Sequence, residues 1–401
     1  MNQSCWADRR STIMRIAAVV IVISLFVAVA TLTLSVVSKS TPTAESFRPG
    51  YGLGDPSECS RLISYGSIEA AAGALPSGGV LCARAGIYTE SDQRLSIESS
   101  GTVNAPKTIK AYPGERVELR AAIRGSASHW VIEGLFIDAS YALSGPAPGG
   151  RINTDQGIAW TGGTNIRFDS LEIVNRRPNR KPGLAGTCVF FGGTSRPSDI
   201  VLEDSSIHQC GQLPRSNREH CIYAAKVTRL TLRNNWIYDC SDRSIQLYPD
   251  ADSSLIVGNL IDSDSQTGIL LDKLAHYDTI RNNVVDTPNG RTISTGNSYA
   301  GSGSAVLNNC VWDTAVELAP DTLSRGNIVA DPQISGFTVT SHACAAKLPT
   351  DNPFRPSALD WPDRKVLPGQ ILTGHLGLLQ SAILVPVRSA RLSTRKLGRP
   401  G

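Results

Sequence analysis

The residues best equipped for chemistry in this 401-residue chain gather between positions 190 and 273. Phe190, Tyr223, Gln246, Tyr248 and Asp272 occupy strand-like positions, Lys226 and Lys273 follow shortly after, and Arg243 stands between them. A stretch at 211–219, leading into His220, adds Arg215, Arg218 and Glu219. Aromatic faces beside basic groups suit a sugar bearing carboxylates, since rings cover its C–H faces and cations pair with its charge. Taking a proton from the carbon next to such a carboxylate needs a neutralising cation, a base and an acid. Lys226 and Arg243 are the candidate cations, Tyr223, Tyr248 and His220 the candidate bases or acids. Phe190, Gln246, Asp272, Lys273 and Arg218 are the expected substrate contacts, with Asp272 orienting. Each has a plainer reading: a histidine at a strand edge is commonly structural, the tyrosines offer stacking surface, and Arg243 bonds a neighbouring loop.

Those residues need a scaffold, and the scaffold is periodic. Short apolar-edged segments begin at Ile132, Phe168, Leu202, Leu232, Ile256, Ile280 and Val306. A second series interleaves with them around Ile158, Val189, Ile222, Ile245, Ile269, Ile293 and Val316. Both settle to steps of about 24 residues, as from Leu232 to Ile256 to Ile280. Each segment is too short for a helix, alternates as a strand does and is rich in Val and Ile. Repeats of this length stack as coils of a solenoid. Parallel strands about 4.8 Å apart then place like residues on like. Asn235, Asn259, Asn283 and Asn309 share one position and predict an asparagine ladder, in a turn where Asn tolerates left-handed backbone and its amide bonds the rungs on either side. The longer steps between Phe168 and Leu232 predict insertions at 176–186 and 211–219, which in a solenoid grow from one side and build a binding surface. If Ile222 and Ala224 face the core, alternation exposes Cys221, Tyr223 and Ala225, then Gln246 and Tyr248, then Leu270 and Asp272. Residues 67–90 predict a short amphipathic helix capping the open end, then a strand and a turn; 101–120 supply the first rungs.

Charged residues make up 18% of the chain and the net charge is only +4, which argues against a nucleic-acid partner. Positive charge concentrates after Asp363, where seven Lys and Arg (from Arg364 to Arg399) occur with no acidic residue. This is either a solvated tail or an attachment to an anionic envelope polymer. Residues 16–37 carry no charge and follow Arg9, Arg10 and Arg15. They are long enough for one transmembrane helix, with the N-terminus inside and the body outside. Ala28-Val29-Ala30 offers a cleavage site, so anchored and secreted forms both stand. Cys5 precedes this segment; the other eight of the 9 cysteines follow it into an oxidising space. Stacking predicts Cys188 with Cys221 and Cys210 with Cys240, one rung apart and within disulfide reach. Cys59–Cys82 and Cys310–Cys344 follow by elimination. No CxxC or CxxH spacing suggests a metal site.

The stretches GGVLCARAGIYTE, GTVNAPKTIKAYPGE and the repeated NN-V/I edges resemble bacterial secreted β-helix proteins of the pectate-lyase-like fold over about residues 60–340. The second stretch is similar to the opening coils of the chondroitinase B and alginate lyase family. The resemblance implies the fold, and acidic polysaccharide as substrate class. Its finer signatures are broken: Asn153-Thr154-Asp155 resembles the polygalacturonase NTD motif, yet Thr187-Cys188 stand where the next rung's Asp belongs. The Lys-then-Arg pair of the chondroitinase-like lyases has only Lys226 and Arg243, which fall short of one period.

The chain therefore reads as all-β: a single-stranded right-handed parallel β-helix solenoid with an N-terminal capping helix, preceded by one transmembrane helix. The expected organisation is a cytoplasmic stretch (1–15), an anchor or signal (16–37), a linker (38–58), the β-helix (59–345) and a basic extension (346–401). The expected function is a lyase or epimerase acting on a uronate-containing glycan at the cell membrane or secreted. The alternative is a non-catalytic envelope protein binding glycan or protein through the same face. A monomer is expected, with no cofactor, Ca²⁺ left open.

Overall fold

A computed structural model describes residues 47–142, 156–176, 186–193, 195–211, 213–215, 217 and 219–356. The segment at 16–37, the basic tail, Asn153-Thr154-Asp155 and Arg218 lie outside them. Among the described residues no helix is long and apolar enough to cross a membrane.

The described chain winds through three parallel sheets, one strand to each per coil. Sheet I has eleven strands, from Arg61–Ile63 to Leu323–Arg325; sheet II has ten, from Gly86–Tyr88 to Ile328–Val329. Sheet III has eight, from Arg94–Ile97 to Arg291–Thr295. One coil shows the plan: Thr231–Arg233 in sheet I, Trp236–Cys240 in sheet II, Arg243–Leu247 in sheet III, then Leu255–Val257 back in sheet I. The register pairs Leu232 with Ile256 and Ile245 with Ile269, so the sequence period becomes the rung spacing. Inside, Ile, Leu and Val stack in columns with essentially no exposure, for example Ile237, Ile261 and Val285. Each such side chain contributes roughly 1.5–3 kcal/mol of hydrophobic stabilisation.

The asparagine ladder is present and one rung longer than expected. The backbone N–H and Nδ2 of Asn235 both donate to Asn259 Oδ1 at 3.0 Å, and Asn259, Asn283 and Asn309 repeat this to Asn327. The second Nδ2 proton returns to a sheet I carbonyl, as from Asn259 to Leu232 at 3.0 Å. The left-handed backbone belongs to the residue before each ladder position: Asn234, Gly258, Asn282, Asn308 and Gly326 have φ between 53° and 71°. Turn and ladder therefore divide the two asparagines of each NN pair between them. Asn259→Ala strips the acceptor from two buried donors of Asn235, and each buried unsatisfied group costs about 1–3 kcal/mol. Chemical denaturation should show a loss of about 2–3 kcal/mol, and a loss below about 0.5 kcal/mol would mean the ladder is ornamental.

At the N-terminal end, helix α1 (Ile68–Gly73) starts on Ser67, whose hydroxyl accepts from Ala70 N–H at 3.0 Å. The buried Glu90 carboxylate takes the Ile68 N–H at 2.8 Å, fastening the cap to the first coil. The described part of the 38–58 stretch is not a free linker. Phe47 is buried and Gly50 N–H donates to Ser170 O at 2.7 Å, because apolar and backbone groups here meet the solenoid wall. On the outer face of sheet II, Leu260, Val284 and Cys310 lie under Val339, Cys344, Leu348, Phe354 and Phe47 in a second apolar cluster. Cys310–Cys344 staples this cover in place.

Two disulfide pairings differ from the stacking expectation. Cys59–Cys82 and Cys310–Cys344 form, but the middle pairs are Cys188–Cys210 and Cys221–Cys240, with Cα separations of 5.5 and 5.6 Å. Cys210 and Cys240 do stack in register, as expected. Stacked side chains, however, point in parallel and not at one another. At the bend between sheets II and III the two cysteine columns flank an inside corner, and each Sγ meets its diagonal neighbour. For the same reason Cys221 faces inward with Ile222, against simple alternation.

Candidate functional site

With sheet II's outer face covered over its C-terminal half, the candidate residues lie on the outer face of sheet III. Strand His220–Ala225 places His220 beside Arg243 and Tyr223 beside Gln246 on the next rung. The columns continue as Arg243, Thr267, Arg291 and as Gln246, Leu270, Ser294. Below them Phe190 pairs with Tyr223. The rings of Phe190 and Tyr223 stack at 5.6 Å and those of Tyr223 and His220 at 5.1 Å, making a platform of three rings.

Three connections from sheet II to sheet III are long, those leading to Ile158, Val189 and His220, in successive coils. In the following coils the chain passes from Cys240 to Arg243 directly. All three insertions therefore join sheet III at the same edge, the start of its strands, as their spacing suggested for two of them. The third, after Asp138, was legible in the step from Ile132 to Phe168.

Arg243 is held at this edge. Its Nη1 donates to Asp242 Oδ2 at 3.0 Å and to Asn217 Oδ1, and its side chain is only 13% exposed. Its Nε and Asp242 Oδ1 are buried without hydrogen-bond partners, as is His220 Nδ1. The Cys221–Cys240 bond braces the corner from behind, one residue from His220 and three from Arg243. Burial, aided by the charge of Arg243, pulls the His220 imidazole down to about 3, so it is neutral at ordinary pH. Burial pushes the Tyr223 phenol up to about 12, with Tyr248 adding and Arg243 opposing. Tyr223 thus keeps its proton and suits the role of acid, not base. At the opposite edge, Asp272 Oδ1 accepts from Ser298 Oγ at 2.6 Å and from Lys273 N–H at 2.8 Å, which holds the carboxylate in place.

The structure brings together His220, Tyr223, Phe190 and Arg243, while Tyr248 and Asp272 stand at the far ends of their strands, five residues past the Arg243 column, with Asp272 lining the same cleft as Arg243. Lys226 and Lys273 stand apart: both are exposed, in left-handed turns past the far ends of the strands. Lys226 follows Ala225 while Arg243 pairs with His220, so six residues of strand, roughly 20 Å, separate their backbones. Gln246 and Leu270 face outward but are 7% and 5% exposed, because side chains of adjacent rungs and corners close over them; Ala225 is buried likewise.

Sequence reasoning missed the cleft next to this platform. About 700 Å³ of space lies over Thr267 and Leu270, walled by Gln266, Asn289 and Arg291 on one side and Asp272 and Ser298 on the other. Arg291 shares the column of Arg243, a signal present in the register of the second series. Among the described residues no three acidic, Cys or His side chains converge on one point. Asp272 alone, beside a cation, is not the oxygen cage of six to eight ligands that Ca²⁺ takes.

A family model described as "Right handed beta helix region" matches residues 151–311. No curated protein matches the sequence. Among solved structures, pectate lyase Pel9A superposes with a TM-score of 0.52 at 14% identity, covering 76% of this chain and 92% of its own. An alginate lyase from Paenibacillus sp. str. FPU-7 covers 68% of this chain and all of its own, with a TM-score of 0.40 at 14% identity. The complex of XylC with xylose gives 0.47 at 10% identity, covering 63% of this chain and 66% of its own. The fold is a right-handed parallel β-helix of the kind found in polysaccharide lyases.

Proposed function

We propose that the outer face of sheet III processes a uronate-containing glycan by removing the proton beside the carboxylate, as a lyase or, with reprotonation from the other face, an epimerase. The observation that carries this is the largely buried, partly unsatisfied Arg243 at one edge of the face, with the protonated Tyr223 phenol further along it and the held Asp272 carboxylate at the far end of the same cleft. Arg243 pairs with the uronate carboxylate and spreads the charge that develops when carbon 5 loses its proton. Asp272 accepts that proton through Oδ2. The electron pair of the C5–H bond forms the C4–C5 double bond as the C4–O bond breaks, and Tyr223 gives its proton to the departing oxygen. Asp272 then returns its proton to Tyr223 through solvent. A carboxylate base with a phenol donor is a workable pair for enolate chemistry. Phe190 extends the ring surface on which the sugar lies, and the buried His220 ring supports it by stacking on Tyr223.

The eight cysteines after residue 37, all paired, support an exported body, since such bonds persist in oxidising compartments. Residues 16–37 would anchor it or be cleaved.

Incubation with a panel of polyuronates should generate the ultraviolet absorbance of an unsaturated uronate, or solvent deuterium at carbon 5 for an epimerase. Binding with neither signal on any member would favour the non-catalytic reading, in which the same face only holds glycan. Tyr223→Phe should then leave affinity within about threefold, whereas for an enzyme it lowers turnover about 100-fold or more, the scale of positioned acid catalysis.

A further inference from the structure

The cleft beyond Arg243 contains a second cation that the reaction does not use. Arg291 lies two rungs along the same column, with Thr267 between, which sets the two arginines about 9.6 Å apart along the solenoid axis. That is close to the length of a disaccharide, and in an extended polyuronate the carboxylates two sugars apart face the same side. Between them Thr267 forms the cleft floor, with the edge of Leu270 beside it, and Asn289 and Ser298 offer polar walls. Asn289 is held in place by its Nδ2 bond to Asp264 Oδ1 at 2.8 Å.

We propose that Arg291 is a specificity-determining residue that binds the uronate carboxylate two sugars from the one held by Arg243. Glu317 now occupies this guanidinium, with Arg291 Nε 3.1 Å from its Oε2, and both side chains are just over half exposed, 53% and 54%. An exposed pair of this kind is worth about 0–1 kcal/mol, so a substrate carboxylate exchanges for Glu317 at little cost. The site thereby selects glycans with acid groups on alternate or on all sugars, laid along the axis, over isolated uronates.

This inference rests on the uronate reading, and one titration separates the two. Calorimetry of wild type, Arg291→Gln and Glu317→Gln with a uronate disaccharide and tetrasaccharide supplies the constants, alongside a tetrasaccharide whose carboxylates are reduced at one end. Arg291→Gln should weaken the tetrasaccharide about tenfold, leave the disaccharide unchanged and abolish the preference for the intact tetrasaccharide over the end-reduced one. Glu317→Gln should tighten the tetrasaccharide a few-fold. Equal losses on both lengths, or no change on either, would overturn the role of Arg291 while leaving the uronate reading intact. No binding of either ligand by wild type would overturn both.

Discussion

Asp278→Asn is expected to stabilise the protein by about 4 kcal/mol at pH 8 and to make almost no difference below pH 4. Asp278 is fully buried inside the solenoid, in a column with Ser254, Ser304 and Thr322. Its Oδ1 accepts from Ser254 N–H at 2.8 Å, and its Oδ2 has no hydrogen-bond partner. Burial, opposed by the Ser254 bonds, pushes its carboxyl up from 3.8 to about 7. Below both values the folded and unfolded chains are equally protonated and the group costs nothing. As pH rises from about 4, the unfolded chain releases this proton and the folded one keeps it, so stability falls until pH reaches about 7 and then levels. Three units at about 1.36 kcal/mol each give the stated magnitude. Asparagine keeps the acceptor and never ionises. Melting curves of both proteins from pH 4 to 8 measure this; a difference independent of pH would show that Asp278 is not the titrating group.

Arg243→Ala is expected to lower kcat/KM on a polyuronate by about 100- to 1,000-fold, the usual cost of removing one group that stabilises developing charge. Most of the loss should fall on kcat, since Arg243 interacts most strongly once carbon 5 carries charge. Arg243→Lys should recover little. A lysine cannot reach Asp242 and Asn217 while presenting a planar fork to a carboxylate. Removing the arginine also leaves the buried Asp242 without its cation, so the melting temperature is measured beside the kinetics. A folded Arg243→Ala protein with unaltered turnover would sink the assignment. If the protein only binds glycan, the same change weakens affinity and there is no turnover to lose.

The coil, the rung period and the ladder were legible because they are translational; that each coil carries three strands was not. A residue repeated at about 24 positions must stack on itself, and Ile, Val and Asn at fixed places report what each position requires. Alternation likewise put Phe190, Tyr223 and Gln246 on one outer column. Which residue touches which around a bend is another matter. Both Cys188–Cys210 and Cys221–Cys240 cross the corner between sheets II and III, where the angle between strands, not their period, sets side-chain direction. That corner also buries His220 beside Arg243 and so disqualifies it as a base near neutrality.

Sequence alone thus determined the solenoid, its eight bridging cysteines and the face that carries the aromatic and basic groups, since each follows from period and polarity. Only tertiary structure decided the cysteine partners, the separation of Lys226 from Arg243, the cover that Phe354 and its neighbours lay over sheet II, and the cleft that adds Arg291. Each of these depends on how coils bend and on segments distant in the chain meeting the same wall, which no repeat spacing encodes.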